Sequence, residues 1–379
     1  MKYCKKCLFP DTKPELEFDE KGVCSACKNA ELKDRINWKS RRIELKQIFE
    51  KYRSKNNGYD CIIPVSGGKD SHFQAHIVKN EFGLKPLLVS FHPRDFTELG
   101  RKNIENLKNL GFDCIEFTAN PILYKKLAKF GFVELGDCAW PEHIGIFTVP
   151  VQIAVAFKIP LIVWGENPQM EYGGPASVST TQYLDREWNE KHGVYFLDKI
   201  KPKDMVKYGI SLADLKPYLY PNDNEIHQVG VTGIFLGYYL KWDARKQLEI
   251  VKKIGFNVLD DPNEGTYTNY ENLDTKYVAL HDYFKFLKFG FGRATDHASI
   301  DIRNKRLTRD EGLIKVKKYE GKIPTKYLDE FLYEFELSKE EFLQICEKFT
   351  NKEIFKSDKT GKLLRDENDN IEKILYDNK

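Results

Sequence analysis

The apolar run CIIPV at Cys61–Val65, followed at once by SGGKDS and a helical pattern, constrains the fold more than any other segment. An unbroken apolar run reads as a strand buried on both faces, the kind found in parallel sheets. The glycine pair lets the backbone turn tightly, and the first N–H groups of the next helix then converge on an oxyanion. The same alternation continues. It predicts strands at Asp60–Val65, Pro86–Phe91, Asp113–Phe117 and Pro160–Trp164, and helices at Ser71–Phe82, Thr97–Leu110, Ile122–Phe130 and Glu142–Phe157. The expected fold class is α/β, a parallel sheet flanked by helices, with ligands held beyond the carboxyl ends of the strands.

Four regions are expected. Residues 1–30 are cysteine-marked knuckles, and 31–56 form a connecting helix with Ile36, Ile43, Leu45, Ile48 and Phe49 at helical spacing. Residues 57–230 hold the sheet, and 231–379 form a mainly helical region that contributes to the substrate site. Helices are expected from Gly233 onward, and the polar stretch KSDKTGKLLRDENDN is expected to be mobile.

Across 379 residues, 60 Lys+Arg against 57 Asp+Glu leave a net charge of +3, which argues against a nucleic-acid partner. The opening MKYCKKC carries no apolar stretch, so no secretory signal is expected. The apolar region from Phe147 to Val163 is interrupted by Pro150, Lys158 and Pro160, too short and broken for a membrane span. A cytoplasmic protein with reduced cysteines is the expectation.

Cys4-x2-Cys7, sixteen residues, then Cys24-x2-Cys27 is the spacing of a zinc ribbon. Four thiolates leave no open coordination position, so the Zn²⁺ would be structural. An iron–sulfur cluster is the competing occupant.

The glycine turn is not a Walker A loop. That motif needs a glycine five residues before Gly68 and a hydroxyl after Lys69, where this chain has Ile63 and Asp70. In SGGKDS, Gly67 and Gly68 admit a phosphate, Ser66 and Ser71 add hydroxyls, Lys69 a cation and Asp70 a carboxylate suited to Mg²⁺. The string resembles the PP-loop, S-G-G-x-D-S, of the N-type ATP pyrophosphatases, enzymes of HUP-like fold. That resemblance implies that the loop grips the β,γ-pyrophosphate of ATP while AMP passes to a substrate oxygen, and that 57–230 is a PP-loop ATP pyrophosphatase domain.

KYCKKCLFPDTKP, GVCSACKN, PVSGGKDS, GENPQMEYGG and KFGFGRATDHASIDIRNKRLTRDEG, in this order, are together similar to the N-acetyl sugar amidotransferase family. The resemblance implies conversion of an acetamido group of a bacterial surface sugar into an acetamidino group. It is closest to members serving lipopolysaccharide O-antigen synthesis on a nucleotide-linked sugar such as UDP-diacetamido-mannuronic acid. Members acting on pseudaminic or legionaminic acid are the neighbouring alternative, and a PP-loop tRNA thiolase is the rival outside the family. An ammonia source is also implied. The chain begins Met1-Lys2-Tyr3 rather than with a nucleophilic cysteine, and GDCAW at Gly136–Trp140 lacks the last glycine of a triad-glutaminase elbow. A separate glutaminase subunit, like that of imidazole glycerol phosphate synthesis, is therefore expected.

Lys69, Asp70 and Glu166 are the expected catalytic residues, with Gly165 beside the nucleotide. Asn167, Arg293, Arg303 and Arg306 are expected at the substrate, because guanidinium forks suit diphosphates and carboxylates. Lys305 and Arg309 lie in the same stretch, near Asp296, His297 and Asp301. Cys138 is read as structural or pocket-lining in preference to nucleophilic. His92 and His143 are left without an assigned role.

Overall fold

The structure, a computed structural model, describes residues 1–92, 94–193, 200–367 and 371–374. Five strands form one sheet, β1 (Cys61–Pro64), β2 (Pro86–His92), β3 (Cys114–Thr118), β4 (Leu161–Trp164) and β5 (Thr232–Phe235), in the order β3-β2-β1-β4-β5. Every pairing is parallel. Cys61 aligns with Pro86, Leu88 with Cys114, Ile62 with Ile162 and Leu161 with Thr232. The chain runs outward from β1 to β3, then crosses back past β1 to β4. The strand order therefore reverses between β1 and β4, where open α/β sheets leave a crevice for ligands.

Alternation along the strands sorts the side chains onto two cores. Ile62, Leu87, Val89, Phe91 and Ile162 face the larger core, with Trp140 and Ile144 of the helix Trp140–Phe157. Cys61, Ile63, Leu88, Leu161, Val163 and Ile234 face the other, covered by Phe73, Leu45 and Phe49. No helix among the described residues is long and apolar enough to cross a membrane.

Three expectations change. The connecting helix is two helices, α1 (Ser25–Lys33) and α2 (Trp38–Tyr52), because the Asn37 side chain accepts from the Ser40 N–H at 3.1 Å and starts a new helix. Gly233 does not open the helical region, for Thr232–Phe235 is the fifth strand. The stretch at 356–367 is pinned by antiparallel bridges (Phe355 to Lys373, Ser357 to Leu363, Arg365 to Ile371), with Phe355, Leu363 and Ile371 buried. Residues 368–370 of that expected mobile tail lie outside the described residues. After β5 come the helices Leu236–Tyr239 and Ala244–Lys252, an irregular stretch over 253–277, and then helices from Val278–Phe289 through Lys339–Phe349.

Candidate active site

The loop after β1 runs into α3 (Lys69–His76). Gly67 adopts φ +86°, and a Cβ there would lie 3.0 Å from the Gly100 carbonyl oxygen, so only glycine lets the loop press against α4 (Glu98–Asn109). The loop closes on its own serines. The Ser66 N–H donates to Ser71 Oγ at 3.0 Å, and the Gly68 N–H to Ser66 Oγ at 3.4 Å. The second wall follows β4. A Cβ on Gly165 would meet Gln74 Nε2 at 2.6 Å, so the strand end lies directly on α3. This brings Glu166 to the glycine loop across the point where the strand order reverses.

The C-terminal region supplies the third wall. Lys69 Nζ, buried, lies 2.7 Å from Asp70 Oδ2 and 3.0 Å from Glu271 Oε1. Burial opposes its charge, but Asp70 and Glu271 outweigh that and hold the ammonium well above its ordinary value. Burial raises the pKa of the Asp274 carboxyl, with the neighbouring Ser66 hydroxyl opposing. Burial, then Asp70, push Glu166 up to about 7 from 4.5, with Lys69 opposing. Glu271 is raised by burial too. Three carboxyl groups thus share one lysine, a donor set that could hold a divalent cation and that repels itself without one.

Lys69, Asp70, Glu166, Tyr172, Glu271, Arg293, His297 and Arg306 line a single cleft of about 160 Å³. His297 Nδ1 meets the Thr266 hydroxyl at 2.6 Å, and burial lowers its pKa to about 3, so the ring is a neutral hydrogen-bonding group. Arg293 forks onto Asp282, with both contacts at 3.0 Å. Arg306 pairs with Asp243 and, at 3.3 Å, with Asp301. Of the residues singled out by sequence, the cleft brings together Lys69, Asp70, Glu166, Arg293 and Arg306.

Two expected substrate residues point elsewhere. Asn167 is buried, accepts from the Gln169 N–H, and donates to the Val178 carbonyl at 3.0 Å, so its amide braces a loop. Arg303 donates to the Glu171 carbonyl at 2.8 Å and stacks over Phe9. Glu271, Asp274 and His297 were not singled out as site residues by sequence. The first two sit in NYENLDTKY, with no periodicity to mark them.

Cys138 is buried, its thiol 3.9 Å from the Tyr277 carbonyl oxygen, and burial raises its pKa well above the usual thiol value. That is the environment of an inert cysteine. His92 is buried beside Glu116, its Nε2 at 2.6 Å, on the far side of the sheet order from β4.

The cysteine cluster abuts this site. Cys4 and Cys27 sulfurs are 3.8 Å apart and those of Cys7 and Cys24 3.6 Å apart, with all four within 4.8 Å of one another. Sulfurs about 2.3 Å from one ion stand about 3.8 Å apart in a tetrahedron. Thiolates that each hold a different iron of a cluster stand farther apart, so the geometry fits a single ion. The cluster docks on the cleft wall through α1. Lys33 Nζ meets Glu171 Oε1 at 2.6 Å, and Asn29 donates to the Gln169 carbonyl at 3.1 Å, both on α7 (Pro168–Tyr172).

Among known proteins, the chain is 30% identical over 108 residues to an uncharacterized protein of Methanocaldococcus jannaschii, covering 28% of this chain. The chain spans only 38% of that curated relative's length. Similar solved structures include a predicted subunit of tRNA methyltransferase from Methanocaldococcus jannaschii, with TM-score 0.30 and 14% identity over 59% of this chain and 86% of that one. NMN synthetase from Francisella tularensis gives TM-score 0.29 and 13% identity over 60% and 99%. The U34-tRNA thiolase from Methanococcus maripaludis, with its [4Fe-4S] cluster, gives 0.31 and 12% over 86% and 93%. Residues 264–366, the segment that supplies Glu271, Arg293, His297 and Arg306 to the cleft, match the model described as "LPS biosynthesis protein WbpG-like, C-terminal domain".

Proposed function

We propose that the protein is an ATP-dependent amidotransferase acting on a nucleotide-linked N-acetyl sugar in surface-glycan synthesis. The carrying observation is the cleft itself. A phosphate-type loop forms one wall, and the facing wall comes from the segment similar to a lipopolysaccharide biosynthesis protein. The acetamide oxygen attacks the α-phosphorus of ATP, and the bond to pyrophosphate breaks. Ammonia then attacks the activated carbon, the C–O bond breaks, and AMP leaves with the bonding electrons. The product is an acetamidino group.

The chain's residues divide this work. The loop N–H groups at Gly67 and Gly68, the Ser66 and Ser71 hydroxyls and the Lys69 ammonium hold departing pyrophosphate. Asp70, with Glu166 and Glu271 beside it, suits Mg²⁺, whose charge neutralises the phosphates. Glu166, with its pKa at about 7, is poised to accept the proton that incoming ammonium must lose. Arg293 and Arg306 suit the anionic sugar nucleotide. Zinc is the ion proposed at the cysteine cluster, since four thiolates in tetrahedral array favour it. A separate glutaminase subunit would deliver ammonia in the cytoplasm, and an ammonium salt should replace it.

The test supplies ATP, Mg²⁺, ammonium and a UDP-diacetamido uronic acid. The reading expects AMP, pyrophosphate and a sugar lighter by the difference between O and NH. Thiolation of tRNA, with no AMP formed on any acetamido sugar, would overturn it.

A further inference from the structure

We propose that Asp137, His143 and His281 form a second metal site, for a first-row divalent ion, apart from the four cysteines. Asp137 lies in the loop before α6 (Trp140–Phe157), His143 on the first turn of α6, and His281 on the helix Val278–Phe289. Asp137 Oδ1 lies 2.8 Å from His281 Nδ1, and Asp137 Oδ2 3.7 Å from His143 Nδ1. One ligand atom from each of the three residues falls within 4.8 Å of the others. An ion with bonds of about 2.1 Å needs neighbouring ligands about 3.4 Å apart, and each imidazole faces one oxygen of the same carboxylate at a distance within about 0.6 Å of that.

The carboxylate is aimed. The Ala139 N–H donates to Asp137 Oδ1 at 2.9 Å, the outer-shell hydrogen bond that fixes a ligating carboxylate. The imidazole rings cross at 79° with centroids 4.8 Å apart, and each presents its Nδ1 to the acid. Two imidazoles and one carboxylate suit zinc, nickel, cobalt, iron or manganese better than magnesium or calcium, which prefer oxygen alone. Asp137 and His281 line a chamber with Lys285, Lys288 and Tyr172, and its Tyr172 and Arg293 are shared with the phosphate cleft. The neighbouring lysines are engaged elsewhere. Lys288 donates to the Leu135 carbonyl at 2.5 Å and Lys285 to Asp296 at 2.5 Å. Three protein ligands leave coordination positions open to that chamber, so the ion would take a further oxygen or nitrogen donor there.

The test is a Co²⁺ titration of the whole chain with its cysteine site already filled by zinc and its carboxylate cleft saturated with Mg²⁺. The expected result is one further equivalent with weak visible bands and no thiolate charge-transfer absorption. That equivalent should be lost in His143→Ala and again in the milder His281→Gln, while the thiolate-bound zinc stays and reports an intact fold. No further equivalent in the wild-type chain would overturn the proposal, as would its retention in both variants.

Discussion

Lys69 Nζ and Glu271 Oε1 meet at 3.0 Å, tying the first residue of α3 to a segment about two hundred positions later in the chain. The contact makes the cleft a joint product of the sheet and the C-terminal region. Lys69 is therefore a strut between two parts of the molecule as well as the proposed phosphate ligand.

Replacing Lys69 by methionine should abolish AMP formation and lower stability by about 2–4 kcal/mol above neutrality, because it leaves Asp70 and Glu271 without their cation. At mildly acidic pH the loss should shrink, since Glu271, whose pKa burial raises, then takes up a proton. Urea unfolding of wild type and Lys69→Met at the two conditions measures both values. Equal losses at both would contradict the assigned pairing.

Glu166 gives the sign of a second effect. Its folded pKa, about 7, lies above the ordinary 4.5. Its contribution is therefore fully present below the ordinary value and fades as pH rises toward about 7, because the folded site resists ionisation. Glu166→Gln should flatten the fall of stability across that window by on the order of 1–3 kcal/mol. The same change should cut turnover about a hundredfold or more if Glu166 is the base. Denaturant titrations and rate profiles against pH check the two outcomes separately.

The order of the chain was readable where physics is local. An apolar strand, a glycine turn and a helix start lie next to one another at Cys61–His76, and paired cysteines announce their own cluster. Strand β5 was hidden because its four residues carry a glycine and follow Gly230, which caps a short helix at φ +71°. Glu271 and Asp274 were hidden for another reason. Nothing in NYENLDTKY says that tertiary closure will bring two acids onto Lys69 and Ser66. Asn167 and Arg303 show the converse, polar residues whose position suggests a ligand and whose hydrogen bonds go to backbone carbonyls.

Removing the metal from the cysteine cluster should loosen the cleft as well as the knuckles, because α1 holds α7 through Lys33–Glu171 and Asn29–Gln169. A strong chelator, or Cys27→Ala, should lower the melting temperature and raise hydrogen exchange at 168–172 together. Faster exchange confined to residues 1–30 would contradict that coupling.

Cys138→Ala should leave turnover unchanged and cost about 1 kcal/mol of stability, since its thiol is buried and held protonated. Loss of activity in a folded variant would revive a nucleophilic role. Unfolding curves and AMP assays on one preparation decide it.

The most direct measurement follows one oxygen atom. An N-acetyl sugar nucleotide labelled with heavy oxygen at the acetamide carbonyl is turned over with ATP, Mg²⁺ and ammonium, and the products are weighed by mass spectrometry. The account predicts that the label leaves the sugar and appears in the phosphate of AMP. A label that stays in the sugar, or emerges in inorganic phosphate alongside ADP, would contradict it.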